Sequence, residues 1–308
     1  MSSTFFSKDN GDVILRAGPG PDSKQDFRVH KLVLSLASPV FEDLFKTAQP
    51  DQPDGGQESL PIIPVTDPPE CVDLLLRFIY PGVAPPIITD LAVLSALLII
   101  ADKYNVQTIS PIVKERLAGK ELLKKDPFGV YIIARRWGFA DEAKRAAREV
   151  TLAKINNSPS SRDPQNLAGD DFLRLLWFMQ KRGDEAKKVI RTHLVEWTDE
   201  PDSGVMSCGQ HIGAESREFF DALAEKIVWK FDVNPSLGPG DVVIILAEAP
   251  DPPHTGFCNI EPNPEHDFSI YCPLQPSSMV VSLQHLARRL GTISEEYLRK
   301  AFDGRFPL

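Results

Sequence analysis

The chain lacks a long apolar run. Across its 308 residues no stretch approaches the roughly 18–20 apolar residues that a membrane span needs. The longest candidate, Leu91 to Ala101, is broken by Ser95 and followed by Asp102-Lys103. No membrane partner is expected. The opening residues, MSSTFFSKDNGD, have neither a basic start nor an apolar core, so we expect no secretory leader. Cysteine is scarce: four residues, scattered at positions 71, 208, 258 and 272. That is not the framework of a small secreted disulfide domain, and an intracellular protein with reduced thiols is expected, cytoplasmic or nuclear. Positive charge is short as well, with 34 Lys and Arg against 43 Asp and Glu and a net charge of -9. An acidic surface is repelled by phosphate backbones, which argues against a nucleic-acid partner. The basic pairs Arg135-Arg136, Lys144-Arg145 and Lys187-Lys188 alternate with acids or apolar residues at helical spacing and read as solvated helix faces.

Motifs that carry chemistry are missing too. Gly18-Pro19-Gly20 has no following Lys-Ser/Thr and leads into a strand, so it is no phosphate loop. Neither Gly-x-Ser-x-Gly nor His-Glu-x-x-His occurs, and no carboxylate stands in an apolar context that would raise its pKa for acid catalysis. No cofactor is expected. No repeat of 20–50 residues is visible either, so no repeat-built effector domain is expected.

What is present is enough to bury a core: 42% of residues are hydrophobic and 25% charged. Asp12 to Ala17 reads as a strand with Val13 and Leu15 on one face, Gly18 to Gln25 as a turn, and Asp26 to His30 as the returning strand of a hairpin. In Phe27 to Phe45 the pattern then turns helical. Leu32, Leu36, Val40 and Leu44 recur every four residues, flanked by Val33, Phe41 and Phe45, which predicts an amphipathic helix. Pro39 should break that helix near Ser38, with Ser38 capping a second short helix. The segment from Thr47 to Glu58 is nearly devoid of apolar residues and reads as an exposed, mobile loop. Leu60 to Val65, with two prolines, predicts an edge strand.

Helices are expected from Pro68 (with Asp67 as N-cap) to Tyr80, from Leu91 (with Asp90 as N-cap) to Tyr104, from Ile112 to Lys120, from Pro127 to Trp137 and from Asp141 to Ile155. Ser158 to Gln165 reads as a linker and Asp199 to Gly204 as a second loop. Asp171 to Trp197 should be helical with an interruption at Gly183. Glu215 to Phe231 should form one helix, and Asp241 to Ala247 an ordered element. Two terminal helices are expected, Ser282 to Leu290 and Thr292 to Phe302, the second opened by a Thr292-x-x-Glu295 capping box.

Phe27-x-Val29-His30-Lys31-x-Val33-Leu34, then Ser38-Pro39-Val40-Phe41-x-x-x-Phe45, resembles the signature of BTB/POZ domains. Asp12-Val13-Ile14-Leu15 resembles that family's first strand, Phe78-Ile79-Tyr80 with Gly82 its F-x-Y-x-G segment, and Ala101-Asp102-Lys103-Tyr104-Asn105-Val106 its A-D-K-Y-x-[VM] segment. The layout as a whole is similar to the fungal group of BTB proteins without a recognisable effector domain. The resemblance implies an α+β fold: a BTB/POZ domain over 8–122, a small sheet with a helical cluster. A helical extension over 123–157 and a mainly α-helical C-terminal region over 166–308 would follow.

Several constellations have two readings. In dimeric BTB proteins an acidic residue of the first strand and a basic residue after the His share a charged pocket at the dimer centre. By that resemblance Asp12 and Lys31 would be an interfacial ion pair; otherwise they are two exposed charges. His30 has no ligand or base partner in sequence reach and reads as a core histidine satisfied by backbone. Cys208, His211, Cys258 and Cys272 could supply a structural zinc site, but only Cys208-x-x-His211 has knuckle spacing, and buried free thiols are the alternative. The apolar stripe of Leu91 to Tyr104 is either domain core or a partner groove.

The function implied is a non-enzymatic protein-interaction module whose BTB domain self-associates, a homodimer being one form, or docks a protein partner, the C-terminal region offering a second surface. Many family members are adaptors for cullin-type ubiquitin ligases, where a hydrophobic-x-Glu motif before the third strand contacts the cullin. Here that loop reads TAQPDQPDGGQES, with no Glu at that spacing after an apolar residue. A competing class is an enzyme in the C-terminal half, with a site near His211, His254 or His266.

Overall fold

A computed structural model describes residues 11–20, 24–47, 60–162, 167–199, 214–233 and 276–303. The chain divides into two compact units, Met1–Leu122 and Leu123–Leu308. The first is built on a three-stranded sheet of β1 (Val13–Ala17), β2 (Gln25–Val29) and β3 (Ile62–Val65), in the order β2-β1-β3. β1 pairs antiparallel with β2 and parallel with β3. The period-two pattern sets one face: Val13, Leu15, Ala17, Phe27, Val29, Ile63 and Val65 are all buried. Leu15 lies opposite both Phe27 and Ile63, at the middle of that face. β3 is the expected edge strand, and its Pro64 is exposed. Gly11 leads into β1 so close to Val29 that an added Cβ would lie 2.7 Å from the Val29 carbonyl oxygen. Only glycine fits there without a shift.

Five helices complete the unit: α1 (Lys31–Ala37), α2 (Pro39–Thr47), α3 (Pro69–Ile79), α4 (Leu91–Lys103) and α5 (Ile109–Leu117); α6 (Lys120–Lys125) follows. Asp90 caps α4 as expected, its carboxylate accepting from the Ala92 and Val93 amides. Leu94, Leu97, Leu98, Ile100 and Ala101 of α4 are buried, so this stripe is core and not a partner groove. α4 ends in a Schellman turn: Asn105 takes a left-handed φ of 51° and the Val106 amide donates back to the Ala101 carbonyl at 2.8 Å.

The second unit is helical: α7 (Pro127–Arg136), α8 (Ala140–Glu149), α9 (Leu152–Asn157), α10 (Gly169–Asp199), α11 (Ala214–Val233) and α12 (Pro276–Phe302). α7 repeats the ending of α4, with Gly138 at φ 72° and the Phe139 amide bonded to Ala134 O at 2.8 Å. Where one helix was expected from Asp141 to Ile155 there are two. The chain turns extended at Val150 and Thr151, and the Thr151 hydroxyl accepts from the Lys154 amide to open α9. Buried Arg182 reaches from α10 to the carbonyls of Arg148 and Val150 at 2.8 and 3.4 Å, occupying acceptors at the end of α8.

Two expected breaks are absent. α10 runs through Gly183, because Leu175, Phe178, Arg182, Ala186 and Ile190 form one buried stripe across it. α12 runs through Gly291 and Thr292 for the same reason, with Leu286, Leu290, Ile293, Leu298 and Ala301 buried in sequence. The capping box is not formed. Thr292 Oγ1 donates back to the Arg289 carbonyl at 2.6 Å, and Glu295 pairs with Arg148 on α8 at 2.7 Å. The element expected at Asp241 to Ala247 lies outside the described residues, as do the linker residues 163–166 and most of the loop from Thr47 to Glu58.

Candidate interaction site

The stripe of Leu32, Leu36 and Val40 does not face the core. Leu36 is 80% exposed, Leu32 69% and Val40 38%. The buried positions are instead Leu34, Ser38 and Phe41, spaced by four and three residues along α1 and α2. That spacing is as helical as the predicted one, but a serine in its middle hides it from a search for apolar periodicity. An apolar strip of exposed side chains on α1 and at the start of α2 therefore lies on the surface of the first unit.

α1 is seven residues long and Leu34 is its one buried side chain. Burial alone is a slender anchor for it. Both ends are held by polar contacts from distant parts of the chain. At the N-terminus, His30 occupies the cap position but makes no side-chain cap. Its backbone amide donates to the Tyr80 hydroxyl at 2.7 Å, and its ring Nδ1 lies 3.2 Å from the same oxygen. The next amide, of Lys31, donates to Asp12 Oδ1 at 2.8 Å. Asp12 and Lys31 thus meet through carboxylate and backbone amide, with no side-chain ion pair between them. Burial, with a smaller contribution from the Asp12 charge, holds the Tyr80 phenol above its usual pKa and keeps it neutral.

At the other end, fully buried Ser38 closes the junction of α1 and α2. Its hydroxyl accepts from the Phe41 amide at 3.1 Å, the expected cap, and donates to the Tyr104 carbonyl at the end of α4. Tyr104 is a three-way tie. Its carbonyl takes Ser38, its ring stacks on Phe41 at 4.4 Å and 6°, and its hydroxyl donates to Asp67 Oδ2 at 2.6 Å. Lys103 reaches the same Asp67 oxygen at 2.7 Å. Asp67 is therefore not the N-cap of α3; Pro68 stands at that position without a side-chain bond, and the carboxylate serves α4. Burial and the Asp67 carboxylate push the Tyr104 phenol far above the ordinary tyrosine value. The sequence contained Tyr104 in a matched motif but gave no sign of what its hydroxyl, ring and carbonyl each touch.

The family model of the BTB/POZ domain matches residues 2–121. This segment is a BTB/POZ domain. Its His30-Lys31 pair opens α1, and its Ala101-Asp102-Lys103-Tyr104 segment closes α4 onto α2. As a BTB/POZ domain the segment is a protein-interaction module, joined here to a mostly helical remainder. His30 is half-buried and bonded to a tyrosine hydroxyl, where a backbone partner was expected. A cavity of about 20 Å³ lined by Phe78, Pro86, Ile88, Leu94, Leu97 and Val113 is room for about one water, not for a ligand. Among the described residues no cluster of His, Cys, Asp and Glu could hold a metal. Cys208, His211, Cys258 and Cys272, like His254 and His266, lie outside those residues. No helix among the described residues is long and apolar enough to cross a membrane.

Proposed function

We propose that this protein is a non-enzymatic interaction protein whose BTB/POZ domain self-associates across the outer face of α1 and the start of α2. The observation that carries the reading is the exposed strip of Leu32, Leu36 and Val40. A soluble surface keeps few contiguous apolar side chains uncovered without use. A second copy of the same strip is self-complementary across a two-fold axis. Asp12 and Lys31 lie at the N-terminal end of the strip and are drawn into the interface edge. The cullin-adaptor reading has less support, because the loop before β3 lacks the apolar-x-Glu spacing.

Analytical ultracentrifugation of the full chain at micromolar concentration tests this. Wild type should sediment as a dimer and Leu36→Glu as a folded monomer, since a carboxylate buried on each side of the two-fold has no partner. Lys31→Ala keeps the backbone amide that Asp12 accepts, so its fold should be unchanged. A Lys31 charge paired within the interface would then show as dimer association weakened by tenfold or more. A wild type that stays monomeric sinks the proposal.

A further inference from the structure

α1 carries the exposed strip yet buries one side chain. We propose that Tyr80 and Asp12 are positioning residues that preorganise α1 for docking, clamping the amides of its N-cap and its first residue from the end of α3 and the start of β1. The inference rests on the self-association reading above for its functional meaning, and on geometry for the clamp itself. Tyr80 is the C-cap residue of α3, so its ring leaves a fixed point: its own amide donates to the Leu76 carbonyl at 2.9 Å. From there its hydroxyl meets the His30 amide. Asp12 precedes β1 and is held by its own amide, which donates to the Val29 carbonyl at 3.0 Å. From there its carboxylate meets the Lys31 amide. The helix supplies no side-chain cap of its own at His30, so these two distant groups take the place of a local one. At the far end Ser38 is tied to the Tyr104 carbonyl, the C-cap residue of α4. A short helix fixed at both ends by the C-caps of its neighbours presents Leu32 and Leu36 in one geometry before any partner arrives, which removes an ordering cost from association.

The role is separable from an interfacial ion pair. An ion pair needs the Asp12 charge; a clamp needs only an acceptor oxygen, which asparagine retains. It is also separable from self-association, because the clamp is readable in a monomer.

Hydrogen exchange followed by mass spectrometry on the full chain makes the comparison, in wild type and in the Leu36→Glu background, with the β1 segment 13–17 as internal reference. Tyr80→Phe and Asp12→Ala should each raise exchange of residues 31–37 about tenfold, leave β1 unchanged, and weaken self-association by a similar factor in ultracentrifugation. Asp12→Asn should keep both the protection and the dimer. Unchanged exchange in 31–37, an equal rise in β1, or loosened α1 with association intact would each overturn the proposal. So would Asp12→Asn behaving like Asp12→Ala. If wild type is monomeric, the self-association reading fails, while the exchange comparison in that monomer still decides the clamp.

Discussion

Tyr104→Phe isolates the hydroxyl of the tie between α4, α2 and the segment before α3. The substitution keeps the ring, so the stacking on Phe41 and the Ser38 contact to the carbonyl both survive. What is lost is one hydroxyl donating to a carboxylate at 2.6 Å, at a residue only 5% exposed. Hydrogen bonds to charged groups contribute roughly 1.5–3 kcal/mol. Lys103 still pairs with Asp67, which spares the carboxylate from complete isolation and places the expected loss at about 2 kcal/mol. All four tryptophans (137, 177, 197 and 229) lie beyond residue 122, so their fluorescence does not report on the BTB/POZ domain. The assay is therefore urea-dependent hydrogen exchange of peptides within 91–104. The pH dependence gives a second readout with a defined sign. A phenol raised above the ordinary value near 10 keeps its proton in the folded state after the unfolded chain has lost it. Stability is then full below pH 10 and falls above it, by up to about 1.4 kcal/mol per pH unit for one such group. Tyr104→Phe should flatten that alkaline decline as it lowers stability at neutral pH. A neutral-pH loss below about 0.5 kcal/mol, or an alkaline slope identical to wild type, would refute the assignment of the hydroxyl as a tie.

Arg182→Met keeps the apolar stem but leaves the Arg148 and Val150 carbonyls without their guanidinium and removes the charge stacked 4.8 Å above Phe178. The second unit should lose roughly 2–4 kcal/mol, read by tryptophan fluorescence in urea; a loss under about 1 kcal/mol would mean those carbonyls are satisfied otherwise. Gly291→Ala should stabilise α12 by about 0.5–1 kcal/mol, since an added Cβ there meets nothing within 4 Å and the helix continues through it. Thr292→Ala should be near neutral in the same titration, whereas a cost of about 1 kcal/mol would restore the capping box and two separate helices.

Most of the BTB/POZ unit was legible because its elements satisfy local rules. Alternation placed β1, β2 and β3; Asp90 and Ser38 cap as their positions suggest; Asn105 ends α4 in the left-handed turn that its residue type tolerates. The two breaks wrongly expected in the second unit share one cause. Gly183, Gly291 and Thr292 are local stop signals, each worth about 1 kcal/mol or less, set against buried stripes that run unbroken across them. Tertiary burial outweighs a signal of that size. Arg182 could not be found at all from the sequence, because the carbonyls it serves lie more than thirty residues away.

The candidate site shows a different limit. Periodicity identifies an apolar face but carries no sign saying whether that face meets the core or the solvent. On α4 the apolar stripe is core, and on α1 and α2 an equally regular stripe is surface. What distinguishes them is the competing stripe. Turning Leu32 and Leu36 inward would turn Leu34, Ser38 and Phe41 out, and would part Ser38 and the ring of Phe41 from Tyr104. The orientation is thus decided by polar partners on other elements, which one buried serine can bond and a leucine in its place could not. The apolar strip that is left outside is then a consequence of how the domain closes its own helix junction. The same contacts that expose the strip also tie the end of α1 to α4, so under the proposed self-association the stability of the junction and the affinity between two copies of the chain should rise and fall together.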